Sequence, residues 1–222
     1  MQEKKRGRTH SRWLLPAALV LAGAAWFENF TLSTSTVTAA CAALPEAFSG
    51  LRIVQISDLH GRRFDAESRY LLELVRLQSP DLIALTGDLA DEFTDFSMLP
   101  PLLDGLTALA PTFYVTGNHE WVLSREKREA LFSMLDAAGV VRLQNEYRLL
   151  KKGQASIVLA GVDDPNGPYD QKRPAQLVRE IRQSRGRDAY ILMLSHRNDE
   201  LPLWAHMGVQ TVLCGHGHGG IV

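Results

Sequence analysis

The chain has 222 residues, of which 45% are hydrophobic and 22% are charged, a composition that excludes disordered, collagen-like and coiled-coil proteins. The formal net charge is -1, so there is no surplus of Lys and Arg, and we expect no nucleic-acid partner. The 2 cysteines are too few for a disulfide framework. We expect one domain of α/β size with a short appendage.

The appendage is predicted at the N-terminus, where basic residues precede an apolar segment. Residues 1–12 carry Lys4, Lys5, Arg6, Arg8 and Arg12, and residues 13–27 are uncharged and apolar. A membrane span needs roughly 20 apolar residues, so residues 13–30 are predicted to be a membrane anchor or a cleaved signal segment, and we favour the anchor. The positive-inside rule would make residues 1–12 a cytoplasmic tail and place the rest of the chain outside. Residues 31–47 are predicted to be a connecting strand and linker, with the strand at residues 31–38, which are rich in β-branched residues.

From residue 48 onward, apolar runs alternate with helical patterns. We predict helices at residues 65–78, 98–109, 124–138 and 174–183, with Ser124 as an N-cap and Gly139 as a stop. Strands are predicted at residues 51–56, 81–86, 112–116, 140–143, 147–150, 156–160, 190–194 and 209–214. This alternation favours an α/β fold with a largely parallel sheet, in which functional loops gather at the carboxyl ends of the strands.

Polar motifs follow five of these strands. They are Ser57-Asp58-Leu59-His60, Gly87-Asp88, Gly117-Asn118-His119-Glu120, Ser195-His196 and Gly215-His216-Gly217-His218. Each motif alone has an ordinary explanation as a turn, a cap or a strand-end histidine. Together they are expected to converge at one edge of the sheet. Asp58 and His60 would point the same way only if the strand stays extended, and the same holds for His216 and His218.

The converging side chains offer a mixed set of nitrogen and oxygen donors, namely Asp58, His60, Asp88, Asn118, His196, His216 and His218. Such a mixture suits Zn, Mn, Fe or Ni better than Ca or Mg. Seven donors exceed the demand of one tetrahedral ion, so two ions that share a carboxylate are the economical assignment. Two divalent ions about 3.5–4 Å apart can clamp a phosphoryl oxygen and hold a hydroxide for in-line attack.

The ordered set of motifs resembles the calcineurin-like metallophosphoesterase superfamily. The basic and apolar N-terminus and the phrase Ile56-Ser57-Asp58-Leu59-His60 resemble its membrane-anchored bacterial branch. The resemblance covers about residues 48–220 and implies a four-layer sandwich of two central β-sheets flanked by helices. Relatives continue for several strands past the Gly219-Gly220 pair, so the domain at residues 48–222 is expected to lack C-terminal strands of one sheet.

The resemblance also implies roles for the residues of the motifs. The first ion would be held by Asp58, His60 and His218, and the second by Asn118, His196 and His216, with Asp88 as the bridge. His119 would act on the substrate as a catalytic residue and would not be a metal ligand. Two departures are expected to matter little: Gly217 between the last two histidines, and Arg197-Asn198-Asp199 after the Ser-His motif.

The implied function is hydrolysis of phosphate esters by a dinuclear centre, with a hydroxide between two Mn, Zn or Fe ions attacking phosphorus. The N-terminal segment would attach the protein to a bacterial inner membrane with its catalytic domain outside, which favours a phospholipid or a nucleotide-linked lipid as substrate. Two alternatives remain: a catalytically weak or inactive metal-binding scaffold of the same fold, and a mononuclear zinc hydrolase of amides. Residues 161–166 are either a substrate-facing loop or an acidic turn.

Overall fold

In the computed structural model, the chain divides into two units, Met1–Thr38 and Ala39–Val222. The structure describes residues 14–20, 23, 32–65 and 67–218. In the first unit, residues 14–20 are helical. The predicted tail at residues 1–12 and most of the predicted anchor or signal segment lie outside the described residues. Among the helices that are described, none combines the length and the apolar character that crossing a membrane requires.

The strand predicted at residues 31–38 is wrong over the part that the structure describes. Residues 32–38 have no regular secondary structure, and residues 33–38 are exposed. β-Branched residues favour strands because they pack on a pleated, half-buried surface, and an exposed segment offers them no such surface. The composition of this segment therefore does not produce a strand.

The second unit contains two four-stranded sheets. The first sheet has the order β1 (Ile53–Ile56), β2 (Leu82–Thr86), β3 (Thr112–Val115) and β4 (Val141–Arg142), and all of its neighbouring strands are parallel. Its connections contain the helices α1 (Arg69–Gln78), α2 (Leu99–Leu109), α3 (Asn118–Val122) and α4 (Arg125–Ala137), and a 3₁₀ turn at Phe96–Met98. Another 3₁₀ turn, Glu46–Phe48, precedes β1.

The second sheet begins with a hairpin. Its order is β5 (Glu146–Lys152), β6 (Ala155–Gly161), β7 (Ile191–Leu194) and β8 (Thr211–Leu213). Strands β5 and β6 are antiparallel, whereas β6, β7 and β8 run parallel through crossovers that contain α5 (Pro174–Arg185) and α6 (Leu201–His206). The parallel strands of both sheets explain why the sequence favours a largely parallel architecture.

Apolar side chains on alternate strand positions build the layers. One core cluster combines both sheets, with Leu82, Ala84, Phe113 and Val115 from the first and Ile157, Leu159, Leu192 and Leu194 from the second. A second cluster packs Leu177 and Ile181 of α5 and Trp204 of α6 against Val158 and Ile191 of the second sheet. This arrangement confirms the expected α/β fold of two central sheets flanked by helices.

Two helix boundaries have simple causes. Helix α1 begins at Arg69 and not at residue 65, because the Asp65 carboxylate accepts hydrogen bonds from the backbone N–H groups of Glu67, Arg69 and Tyr70. Helix α4 follows the prediction: the Ser124 hydroxyl accepts a hydrogen bond from Lys127 N–H at 3.3 Å, as an N-cap does.

Candidate metal centre

The five motifs follow β1, β2 and β3 of the first sheet and β7 and β8 of the second. Backbone hydrogen bonds between neighbouring loops continue past the ends of the strands. Asp58 N–H donates to Gly87 O at 3.1 Å, and His60 N–H donates to Asp88 O at 2.9 Å. In the second sheet, Gly215 N–H donates to His196 O at 3.0 Å. The loops are therefore held in register by the same kind of bond that holds the strands.

The two sheets meet at the site through their edge strands, β1 and β8. Gln55 Nε2 on β1 donates to Cys214 O, just beyond β8, at 2.7 Å. The His216 N–H contacts both carboxylate oxygens of Asp58, at 3.1 and 3.0 Å. Each sheet therefore contributes side chains to one shared cluster.

The backbone at the site is not extended, which corrects the expectation for Asp58 and His60 and also for His216 and His218. Strand β1 ends at Ile56, and the predicted ligands Asp58, His60, Asp88, His216 and His218 all have left-handed backbone, with φ of 55°, 47°, 52°, 65° and 47°. Left-handed backbone in residues other than glycine costs about 1–3 kcal/mol each. The side chains converge because the chain turns sharply after each strand, and the hydrogen bonds between the loops hold those turns.

Three groups of side chains place potential ligand atoms within 4.8 Å of one another. They are Asp58, His60 and His218; Asp88, His196 and His216; and His60, Asp88 and His119. Asp88 Oδ2 lies 3.2 Å from His196 Nε2 and 3.8 Å from His60 Nε2, so it stands between the first two groups. His218 Nε2 is 3.5 Å from Asp58 Oδ1, and Asn118 Oδ1 is 3.1 Å from His196 Nε2. The structure thus brings all seven predicted ligands together.

Asp88 and His196 form the buried centre of the cluster. Burial disfavours the charged form of Asp88, but hydrogen bonds from the His196 ring and the His119 N–H outweigh it and lower the pKa of the carboxyl. Burial also opposes the charged form of His196, but the hydrogen bonds to Asp88 and to Thr86 O raise its pKa above the usual value. Asp88 therefore keeps its negative charge, which a cation can share.

His119, which the sequence analysis predicts to act on the substrate, lies within the cluster of proposed ligands. Its ring packs edge-on against the His60 ring, with the centroids 4.6 Å apart. Its backbone N–H donates to Asp88 Oδ1 at 2.9 Å from the first turn of α3. The geometry therefore places the imidazole where it can reach a group bound at the centre, next to both His60 and Asp88.

The sequence analysis assigns no role to Glu120, a buried residue that holds two loops of the site together. Its fully buried carboxylate accepts hydrogen bonds from the backbone N–H groups of Gly117, Asp88, Leu89 and Ala90, at 2.7, 2.9, 2.7 and 3.3 Å. Burial and the nearby charge of Asp88 raise the pKa of Glu120 to about 7. The signal was present in the sequence, since a Glu three residues after a helix N-cap is typical of a capping box.

Gly87 is required where two motifs approach each other. Its φ is +86°, and a Cβ there would lie 2.5 Å from Gly117 N and 2.7 Å from His196 Nδ1. A Cβ atom does not fit at such distances, so only glycine can occupy this position beside His196. This close approach lets the β2 loop and the β7 loop, one from each sheet, share the centre.

The donor set fits divalent transition-metal ions. His60 Nε2 is buried and, within the part of the chain that the structure describes, has no hydrogen-bond partner. A buried imidazole nitrogen without a partner is costly, and it is a favourable ligand for a cation. Carboxylate, amide and imidazole donors around it match the preferences of Mn, Fe and Zn.

Comparison with known proteins decides the family. The profile of the calcineurin-like phosphoesterase family matches residues 51–220. The chain belongs to this family. The metallophosphoesterase YkoQ of Bacillus subtilis is 31% identical over 77% of this chain and 62% of its own length, and the phosphodiesterase YaeI of Escherichia coli is 30% identical over 76% and 61%. A transmembrane protein with a metallophosphoesterase domain from Danio rerio is 27% identical over 80% of this chain and 42% of its own.

The family match spans every motif of the candidate centre, from the loop after β1 to the loop after β8. The chain spans about three fifths of the length of YkoQ and YaeI. A calcineurin-like phosphoesterase domain with a donor cluster at its strand ends is therefore what the comparison and the geometry support together.

Proposed function

We propose that this phosphoesterase domain hydrolyses phosphate esters with two divalent cations. The observation that carries the proposal is the position of Asp88, which belongs to the group with His196 and His216 and lies within reach of His60 in the other group. One carboxylate between two sets of nitrogen ligands is what a bridged pair of cations requires. When bound, two such cations neutralise phosphoryl charge and lower the pKa of water.

The residues around the ligands fix the tautomers that cation binding needs. The Nδ1 of His196 lies 2.8 Å from Thr86 O, and because a carbonyl oxygen only accepts, Nδ1 carries a proton. A cation would therefore bind His196 at Nε2, in place of the proton that Nε2 shares with Asp88. Asp91 Oδ2 lies 3.6 Å from His60 Nδ1, and His60 Nε2 faces Asp88 at 3.8 Å, on the side where a cation would bind. Burial lowers the pKa of His60, which favours the neutral ring that can act as a ligand.

His119 is proposed to act on the substrate as a proton donor to the leaving oxygen or as a stabiliser of phosphoryl charge. Its place beside His60 and Asp88 supports this role, because a group bound between the two ligand sets would lie next to its ring. The hydrogen bond from its backbone to Asp88 keeps this histidine at the start of α3. In this proposal, the leaving oxygen of a bound ester would lie beside the His119 ring.

The proposed setting is the outer side of a bacterial inner membrane, with a phospholipid or a nucleotide-linked lipid as the substrate. The support is the N-terminal sequence, in which basic residues precede an apolar stretch. The name of the Danio rerio relative says that that protein is transmembrane, which supports a membrane setting without specifying the side. Protease treatment of spheroplasts that express the full chain tests the setting: the domain should be degraded while a cytoplasmic marker survives, and protection of the domain would refute it.

The chemistry is tested on purified full-length protein with aryl phosphate monoesters and diesters, after chelation and after addition of Mn, Zn or Fe. We expect activity that disappears on chelation, returns with metal, and tracks about two ions per chain by elemental analysis. Asp88→Asn should lower kcat by about 10³-fold or more and reduce the metal content. The matched control is Asp95→Asn, an exposed carboxylate paired with Arg63, which should change neither.

Two outcomes would contradict the proposal. Unchanged activity of Asp88→Asn would remove the bridging role. Two bound ions without hydrolysis of any phosphate ester would favour the metal-binding scaffold in its place, and a single ion would favour a mononuclear hydrolase.

A further inference from the structure

Next to the proposed ligands, a buried carboxylate holds an arginine in a fixed position. Arg197 Nε donates to Asp164 Oδ2 at 2.6 Å, and its Nη2 donates to Asp164 Oδ1 at 3.2 Å. The side chain of Asp164 is 0% exposed and that of Arg197 is 23% exposed. Such a two-point pair fixes both the direction and the charge of the guanidinium.

Asp164 is itself well anchored. Its backbone N–H donates to Thr116 Oγ1 at 3.1 Å, and its Oδ1 accepts from Asn166 N–H at 2.9 Å. Thr116 Oγ1 also accepts from Trp121 Nε1 at 2.9 Å, which ties the network to α3. In the loop at residues 161–166, Asp164 is therefore fixed by its own hydrogen bonds and holds Arg197.

The third nitrogen of the guanidinium points at the candidate centre. Arg197 Nη1, which takes no part in the pair with Asp164, lies 3.3 Å from His216 Nε2. A neutral imidazole that binds a cation has one nitrogen on the cation and a proton on the other, so neither can accept from arginine. When His216 serves as a ligand, the N–H groups of Nη1 therefore need another acceptor.

We propose that this acceptor is a non-bridging oxygen of the substrate's phosphoryl group, and that Arg197 thereby favours phosphate monoesters over diesters. The inference rests on the proposed phosphoesterase function. A monoester carries two negative charges near neutral pH and a diester carries one. Because Coulomb energy is proportional to the charge of the ligand, loss of the guanidinium weakens binding of the monoester by about the square of the factor for the diester.

Arg197 is thus a substrate-binding residue, and Asp164 is the positioning residue that aims it. The pairing is built by two distant segments, since residue 164 follows β6 and residue 197 follows β7, directly after His196. The segment Arg197-Asn198-Asp199, a departure that the sequence analysis expects to matter little, then contributes to substrate binding through Arg197.

The test compares Arg197→Met with wild type at pH 8 on p-nitrophenyl phosphate and bis(p-nitrophenyl) phosphate. KM should rise about tenfold for the monoester and about threefold for the diester, with a smaller change in kcat. Calorimetric binding of inorganic phosphate should weaken about tenfold, whereas the metal content should not change. Arg197→Lys keeps a positive charge and should recover most of the preference for the monoester.

The matched control is Arg142→Met. Arg142 makes a similar pair with Asp136, at 2.7 and 2.9 Å, and its side chain is 19% exposed, but it lies on β4, the far edge of the first sheet from β1. Its KM values for both esters should equal those of wild type.

Equal changes in KM for the two esters would overturn the inference while the phosphoesterase function stands. A loss of metal in Arg197→Met that matches its loss of activity would also overturn it, since Arg197 would then act on His216 and not on the substrate. If wild type hydrolyses neither ester, the proposed function fails. Phosphate binding, measured in wild type and Arg197→Met, still decides whether Arg197 binds the anion.

Discussion

Proposed ligands that follow central strands differ in burial from proposed ligands that follow edge strands. Asp88 follows β2 and His196 follows β7, both central in their sheets, and their side chains are 1% and 0% exposed. His60 follows the edge strand β1 and His218 follows the edge strand β8, and their side chains are 22% and 55% exposed. Strands β2 and β7 are buried throughout, whereas β1 and β8 are only partly buried.

This difference in burial indicates which of the proposed ligands are held in position without a bound cation. Asp88 and His196 are held by hydrogen bonds to each other, to Thr86 O and to the His119 N–H, so their positions are set by the core. The edge ligands depend on loops that border solvent. Asp58, His60 and His218 all follow edge strands, whereas in the other set only His216 does. We therefore expect the cation held by Asp88, His196 and His216 to bind more tightly than the one held by Asp58, His60 and His218.

The largest expected effect separates two histidine variants. His196→Ala removes a buried ligand and the partner of Asp88, so kcat should fall by about 10³-fold or more and excess metal should not restore it. His218→Ala removes an exposed ligand, so metal affinity should fall about 10–100-fold and excess metal should restore activity. The measurements are kcat and elemental analysis across a metal titration. Equal rescue of both variants would end the distinction between central and edge ligands.

An intermediate effect concerns Glu120 in the metal-free protein. Its pKa is raised from 4.5 to about 7, so the folded state binds the proton more tightly than the unfolded state does. The stability from this group is fully present below pH 4.5 and is lost as the pH rises through 7, by about 3 kcal/mol. Glu120→Gln cannot titrate and should lack this loss.

Denaturant unfolding of the chelated wild type and Glu120→Gln at several pH values measures the effect. The difference between the two curves is the readout, because other carboxyls, such as Asp88, have lowered pKa values and act in the opposite direction. A difference that does not vary between pH 4.5 and 7 would show that Glu120 keeps one protonation state in this range.

The smallest effect tests how tightly the central loops are packed. Gly87→Ala should destabilise the protein by about 2 kcal/mol more than Gly153→Ala and should lower metal affinity. Both glycines have positive φ, 86° and 62°, but a Cβ at Gly153 meets nothing within 4 Å, so this control carries the backbone strain alone. Thermal unfolding and metal titration of the two variants provide the comparison. Equal unfolding temperatures would mean that the approach of Gly87 to His196 is not tight.

The sequence predicts the strands and the convergence of the proposed ligand residues well, because both depend on local patterns. Apolar runs bounded by polar motifs mark β2, β3 and β7, which are buried. The Asp, Asn and His residues of the motifs are recognisable as possible metal ligands from their side-chain chemistry. Because each motif follows a predicted strand, their convergence at one edge could be expected. The short β4 and β8 are harder to delimit, because a run of two or three paired residues depends on tertiary neighbours more than on its own composition.

What the sequence does not reveal depends on contacts between distant segments. Left-handed backbone at Asp58 and His60 follows from hydrogen bonds to the β2 loop, which no local pattern encodes. The pair of Arg197 with Asp164 joins residues 33 positions apart, and each alone looks like an ordinary surface charge. The strand expected at residues 31–38 fails for the converse reason, since its local pattern finds no surface to pack on.

The contact between the two sheets at β1 and β8 has a consequence for stability. Two of the three groups of potential ligands draw on both sheets, since His218 joins Asp58 and His60, while Asp88 joins His196 and His216. The side-chain amide of Gln55 on β1 also joins the two sheets directly, through its hydrogen bond to Cys214 O just beyond β8. A cation bound in either of these groups would link the two sheets, so separating the sheets would require its release. Bound cations should therefore stabilise the folded protein.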